Sequence, residues 1–135
     1  LTPWSQPTAG PVTAPEGEAL VQQWLDTVCK GDPAAVTAMY HHDGILVGTL
    51  AKTLKRGRAA IRPYFDMFLA KKGLCGKILS EKTQRVNGNL ISSGIYEFAW
   101  TENGTPKSVK ARFSFAFKHT PQGWQILHHH SSAMP

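Results

Sequence analysis

A chain of 135 residues that is 41% hydrophobic and 10% aromatic is long enough for one domain around a single core, and too apolar to be disordered by composition. Its formal net charge of +6 favours anionic ligands, but the basic residues gather only once, at Lys52, Lys55, Arg56 and Arg58, with no base-stacking aromatic motif beside them. A solvated basic loop is therefore expected and no nucleic-acid partner; no apolar run approaches the roughly 18 residues of a membrane span, so a soluble domain with no membrane partner is expected too.

Residues 1–15 hold Pro3, Pro7, Pro11 and Pro15 among small and polar residues, which reads as a linker or terminal arm without a basic-then-apolar signal layout. Residues 16–135 read as one domain. Leu20, Trp24 and Val28 recur at every fourth position, with Val21 and Leu25 beside them, and predict an amphipathic helix ending near Gly31. Asp32 and Pro33 then form the N-cap and first position of a short second helix. In "HHDGILVGTL" a strand is expected after a turn at Asp43-Gly44, with Ile45, Val47 and Thr49 on one face and Leu46 on the other. "RAAIRPYFDMFLAKK" places Ile61, Tyr64 or Phe65, Phe68 and Leu69 at helical spacing, which Pro63 permits only from the first turn.

Four strand-like runs follow, punctuated by Asn87-Gly88, Asn103-Gly104 and Gln122-Gly123, and predict an antiparallel meander. Helices first and a curved antiparallel sheet after them define an α+β domain, cone-shaped, with the helices on one face and a pocket at the open end. The stripe Phe113, Phe115 and Phe117 is expected to be core rather than an interface. Cys29 and Cys75 form no C-x-x-C and are expected as reduced thiols.

The tail "GWQILHHHSSAMP" lies within an apolar pattern and is not a purification tag. Strict alternation puts His128, His130 and Ser132 on the face of Trp124 and Ile126, and His129 and Ser131 on the face of Leu127. An H-x-H pair could supply two ligands of a three-histidine zinc site completed by His41, His42 or His119. No second metal motif supports this, so hydrogen-bonded pocket histidines are the preferred reading, with no metal cofactor. Ser131 and Ser132 lack a nucleophile elbow. Asp43, Asp66 and Glu97 show nothing that pairs them as acid and base. Thr49, Tyr64 and Ser132 remain as hydroxyls on otherwise apolar inward faces, a pattern that suits a small-molecule pocket.

The blocks "GDPAAVTAMYHHDGILVGTL", "GRAAIRPYFDMFL" and "VKARFSFAFKHTPQGWQILHHHSSAMP" resemble the nuclear-transport-factor-2-like superfamily, in the branch of the calcium/calmodulin-dependent kinase II association domain. Within that branch, "HHHSS" followed by "AMP" is similar to the iota-class carbonic anhydrases. The resemblance implies a cone-shaped fold, a homodimer, and reversible hydration of carbon dioxide to bicarbonate, without metal in some members and with manganese or zinc in others. It implies Thr49, Tyr64 and Ser132 as catalytic hydroxyls, with Thr53 and Ser131 as alternates. His128 and His130 would relay a proton or orient the hydroxyls. A plastid, or a bacterial cytoplasm or periplasm, would suit such a domain. Two other readings share the fold: a non-catalytic association module, and a polyketide-cyclase-like or isomerase-like enzyme, which needs an inward carboxylate base.

Overall fold

A computed structural model describes residues 14–135, with side chains from residue 16 onward; residues 1–13 of the expected arm lie outside the described residues, and its last two, Ala14 and Pro15, begin the first helix. The elements run α1 (Ala14–Cys29), α2 (Pro33–Ala38), β1 (Tyr40–Val47), β2 (Lys55–Arg56), α3 (Arg58–Phe68), β3 (Lys72–Val86), β4 (Asn89–Glu102), β5 (Thr105–Thr120) and β6 (Gly123–Ala133). The α+β arrangement is as expected from the sequence.

The apolar stripe of α1 is fully buried from Leu20 to Val28 and packs chiefly on β3. Trp24 sits at the centre of the core. Its indole meets Phe65 of α3 edge-on at 6.3 Å, stacks on Tyr96 of β4 at 6.0 Å and meets Phe115 of β5 edge-on at 5.3 Å. Truncating such a residue typically costs about 3–5 kcal/mol. α2 starts as the sequence dictates: Asp32 accepts the N–H of Ala34 at 3.0 Å, and Pro33 follows where no N–H is needed. α3 buries Ile61, Tyr64, Phe65 and Phe68. Pro63 departs from expectation, lying in the second turn. It and Ala59 are both exposed, so water can replace the donor that the Ala59 carbonyl loses.

The six strands form one sheet in the order β2-β1-β6-β5-β4-β3. From β3 to β6 it is the expected antiparallel meander. Both asparagine-glycine turns take positive φ, 49° and 82° at Asn87-Gly88, and 51° and 78° at Asn103-Gly104. This is the I′ geometry whose twist matches the flanking strands. The sheet is nonetheless mixed, because β1 pairs parallel to β6. Hydrophobic alternation carries no strand direction, and the parallel pair is made possible by the long crossover through α3 and the meander. Within the expected basic loop, Lys55 and Arg56 form the short edge strand β2 against β1.

Two irregularities decide which side chains face inward. β1 begins at Tyr40 and runs straight through Asp43-Gly44, where a turn was expected; its register against β6 slips between Tyr40 and Ile45. The buried side chains of β1 are therefore Tyr40 and Leu46, while Ile45 and Val47 are only half-buried. In β6, Phe117 pairs with Ile126 but Ala116 pairs with His128, leaving Leu127 as an extra residue. One extra residue turns every later side chain to the opposite face. Trp124, Ile126, His129 and Ser131 are buried, whereas His128 and His130 are exposed and Ser132 is half-buried. The expectation that His128, His130 and Ser132 point inward is corrected accordingly. Phe113, Phe115 and Phe117 are buried, as expected of a core stripe.

Cys29 and Cys75 are not free thiols but a disulfide, with Cα atoms 4.5 Å apart. The end of α1 and the start of β3 meet through packing, which a sequence separation of 46 does not reveal.

Candidate active site

A cavity of about 200 Å³ opens between α1, α3 and the inner face of the sheet. Trp24, Leu46, Phe65, Phe68 and Phe98 make most of its wall apolar. Leu50 and Val109, 49% and 39% exposed, also line it and mark its mouth. Six polar side chains line it too: Thr49, Tyr64, Lys71, Tyr96, His129 and Ser131. Lys71 is the sole charged one among the described residues, and its ammonium rests 4.7 Å from the centre of the Trp100 ring.

Each hydroxyl reaches the cavity for a local reason. Thr49 does not end an inward strand face, as expected; it lies beyond β1 in a turn closed by the Ala51 N–H on the Gly48 carbonyl at 3.2 Å, and is exposed. Tyr64 comes from the buried stripe of α3 and lies flat over Gly48, where an added Cβ would fall 2.5 to 2.7 Å from its ring and hydroxyl. Glycine is required there by close approach. Ser131 is buried by the Leu127 bulge. The Thr49 hydroxyl donates to the Ser131 hydroxyl at 3.0 Å. Thr53 is exposed and is not among the lining residues.

Behind Ser131 the polar groups continue inward. The hydroxyl of Tyr96, which lines the same cavity, lies 3.1 Å from Nε2 of His129; Nδ1 of His129 lies 2.7 Å from the hydroxyl of Tyr40. Two hydrogen-bonded groups therefore meet the cavity, the Thr49–Ser131 pair near its mouth and the Tyr96–His129–Tyr40 series running inward to the fully buried Tyr40. Burial, followed by the nearby His128 and His130, pushes the His129 pKa well below its ordinary value. The ring is neutral, and one nitrogen accepts a tyrosine O–H while the other donates its N–H. Burial raises the pKa of all three tyrosines, most clearly Tyr40 and Tyr96; at Tyr64 the Leu50 backbone opposes the rise. The phenols therefore stay protonated.

The structure brings Thr49, Tyr64 and Ser131 to one cavity and leaves Ser132, His128 and His130 on the outer face of the sheet. Sequence reasoning missed His129, Tyr96 and Tyr40 as site residues. Their contacts join positions 33 and 89 residues apart, and no local spacing signals them. The metal implied for some relatives does not fit this donor set. Both His129 nitrogens are engaged by tyrosines, the cavity wall is apolar with hydroxyls, and no group of three or more His, Cys, Asp or Glu is placed to hold an ion among the described residues.

Helices packed on one face of a curved, open sheet, with a pocket between them, define the nuclear-transport-factor-2-like proteins of cystatin-like fold, and solved structures of that description superpose on this chain. The particular family follows from the sequence. The profile of the calcium/calmodulin dependent protein kinase II association domain matches residues 15–135, and the chain belongs to that family. A Xanthomonas campestris protein assigned to the same association domain is 32% identical, with 98% of this chain and 96% of that chain covered and a TM-score of 0.85. A Chlamydomonas reinhardtii domain described as homologous to the hub of calcium/calmodulin dependent protein kinase II shares the fold at 20% identity and a TM-score of 0.75, with 93% of this chain and 100% of that chain covered. A steroid Δ-isomerase of Nocardioides simplex is 39% identical over 57 residues, 42% of this chain and 46% of the isomerase, so the match spans less than half of either protein.

Proposed function

We propose that this domain is a carbonic anhydrase that hydrates carbon dioxide in the Thr49–Tyr64–Ser131 cavity without a metal. The observation that carries the reading is an apolar cavity of about 200 Å³ into which the hydroxyl-bearing Thr49, Tyr64, Tyr96 and Ser131 converge. Carbon dioxide is apolar and enters such a space readily. Water held by the Thr49 and Ser131 hydroxyls would place its oxygen against the carbon. As the C–O bond forms, negative charge develops on the carbon dioxide oxygens, and the Tyr64 and Tyr96 hydroxyls are pre-oriented donors for it in a low-dielectric site. Neutral His129 would fix Tyr96 rather than take the proton. The proton lost by water would pass to solvent at the mouth, where Thr49 is exposed, giving bicarbonate and one proton.

The isomerase-like reading needs a carboxylate in the cavity, and no Asp or Glu lines it among the described residues. The association-module reading is favoured by the family itself and by the kinase hub among the relatives. It predicts a homo-oligomer, which light scattering would detect, and it does not require the cavity to react.

Stopped-flow carbon dioxide hydration on protein dialysed against a strong chelator, with metal content measured on the same sample, tests the proposal. Turnover without stoichiometric metal supports it. No turnover, with or without added zinc or manganese, leaves the association module.

A further inference from the structure

A second cleft lies at the other end of β1 from Thr49. His41 and His42 open β1, Arg58 opens α3, and Lys118 and His119 lie near the end of β5; all five line this cleft, and none lines the first cavity. The cleft is basic, and no Asp or Glu lines it among the described residues. Asp43, the adjacent carboxylate, is engaged by Arg56 through two contacts of 2.9 and 3.1 Å. Residues 1–15 contain no Asp or Glu that could neutralise it.

Several of these groups are already aimed. The Arg58 Nε donates to the Tyr40 carbonyl at 2.7 Å, which fixes the guanidinium and leaves its Nη groups for another acceptor. The Nδ1 of His41 accepts the Asp43 N–H at 3.0 Å, so Nε2 carries the ring proton in the neutral form. The rings of His41 and His42 lie 4.2 Å apart, and His119 is propped edge-on against Trp124 at 5.3 Å. Burial first, then His42 and Lys118, push the His41 pKa down, with Arg58 adding to them and Asp43 opposing. An anion in the cleft would relieve that crowding.

We propose that this cleft is a binding site for a compact dianion of the phosphate class. A guanidinium edge, an ammonium and three imidazoles offer more donors than the two oxygens of a monocarboxylate can accept at once, and a tetrahedral oxyanion of charge two matches them in number and sign. Because burial and the neighbouring cations push the His41 pKa down, that ring adds its charge, and binding tightens, only as pH falls below the ordinary histidine range. The groups facing His41 are His42 on its own strand, Asp43 paired with Arg56 of β2, Arg58 of α3, and Lys118 of β5.

Calorimetric titration with inorganic phosphate, at constant ionic strength set by sodium chloride, tests the site. Sulfate, a dianion across the whole range, serves for the pH series. Saturable binding of one phosphate per chain is expected, weakened about fivefold or more by Lys118→Met and by His119→Gln and unchanged by Ser131→Ala; either cleft variant that keeps its melting temperature suffices. Tighter binding of free phosphate than of phenyl phosphate supports the site and assigns it to the free ion; the reverse order supports it and assigns it to a phosphoryl group on a larger ligand. Heats no larger than those of chloride, or phosphate affinity indifferent to both cleft variants, would overturn the proposal.

Discussion

The hydroxyl of Thr49 donates to the hydroxyl of Ser131 at 3.0 Å, joining the turn after β1 to the last strand. The next residue, Ser132, is chemically identical and faces the other way. If the pair holds the attacking water, Ser131→Ala lowers kcat/KM for carbon dioxide hydration by about 100-fold, the scale of losing one pre-oriented donor. Ser132→Ala leaves it within about twofold. Stopped-flow rates on the two variants compare them directly, and equal effects would count against the inward assignment of Ser131.

His129 makes stability depend on pH, and the sign is fixed. Its folded pKa lies well below the ordinary value, while in the unfolded chain it returns to about 6.5. Between those values the unfolded state binds more protons, so stability is fully present above about pH 6.5 and is lost as pH falls towards the folded pKa. Thermal melts from pH 7.5 to 5 are expected to show this fall, with a shallower slope in His129→Gln. An identical slope in both proteins would locate the acid sensitivity elsewhere.

Gly48, just beyond β1, is where the Tyr64 ring of α3 presses on the backbone. In Gly48→Ala the new methyl must displace the Tyr64 ring or part the two elements, at a cost of about 1–3 kcal/mol. Chemical denaturation measures that cost. Tyr64 also leaves its place over the cavity, so hydration activity is expected to fall by more than the loss of folded protein explains; wild-type activity per folded molecule would separate Tyr64 from the reaction.

The disulfide bears on stability rather than chemistry. Replacing Cys29 and Cys75 with alanine is expected to cost about 2–4 kcal/mol, chiefly by freeing the unfolded chain. Calorimetry would read this as a drop in Tm of roughly 10 °C. The same drop is expected for the wild-type protein melted in reductant, and no further drop for the double variant.

Much of the fold is legible because it is written locally. The N-cap at Asp32, the buried stripe of α1 and the two asparagine-glycine hairpins each depend on a few adjacent residues, and each appears where the pattern puts it. The site is less legible because its geometry depends on counting across distant partners. Leu127 looks like any strand residue, and only its pairing against Ala116 and Phe117 makes it an extra one, exchanging Ser132 for Ser131 and hiding His129. Thr49 reaches the cavity from a turn, outside any period-two argument. Tyr40 carries no local signal, and its role exists only once β1 lies beside β6.

The Cys29–Cys75 bond also has a topological consequence. It closes residues 29–75 into a covalent ring that carries α2, β1, β2 and α3, and with them Thr49 and Tyr64. The exposed stretch Lys52, Thr53 and Leu54 lies inside that ring, where a protease would meet it first. A single cut there opens the ring without releasing a fragment. The nicked molecule therefore stays whole on a non-reducing gel and separates into two pieces only when the bond is reduced, so both walls of the cavity remain tethered through a break in the chain between them.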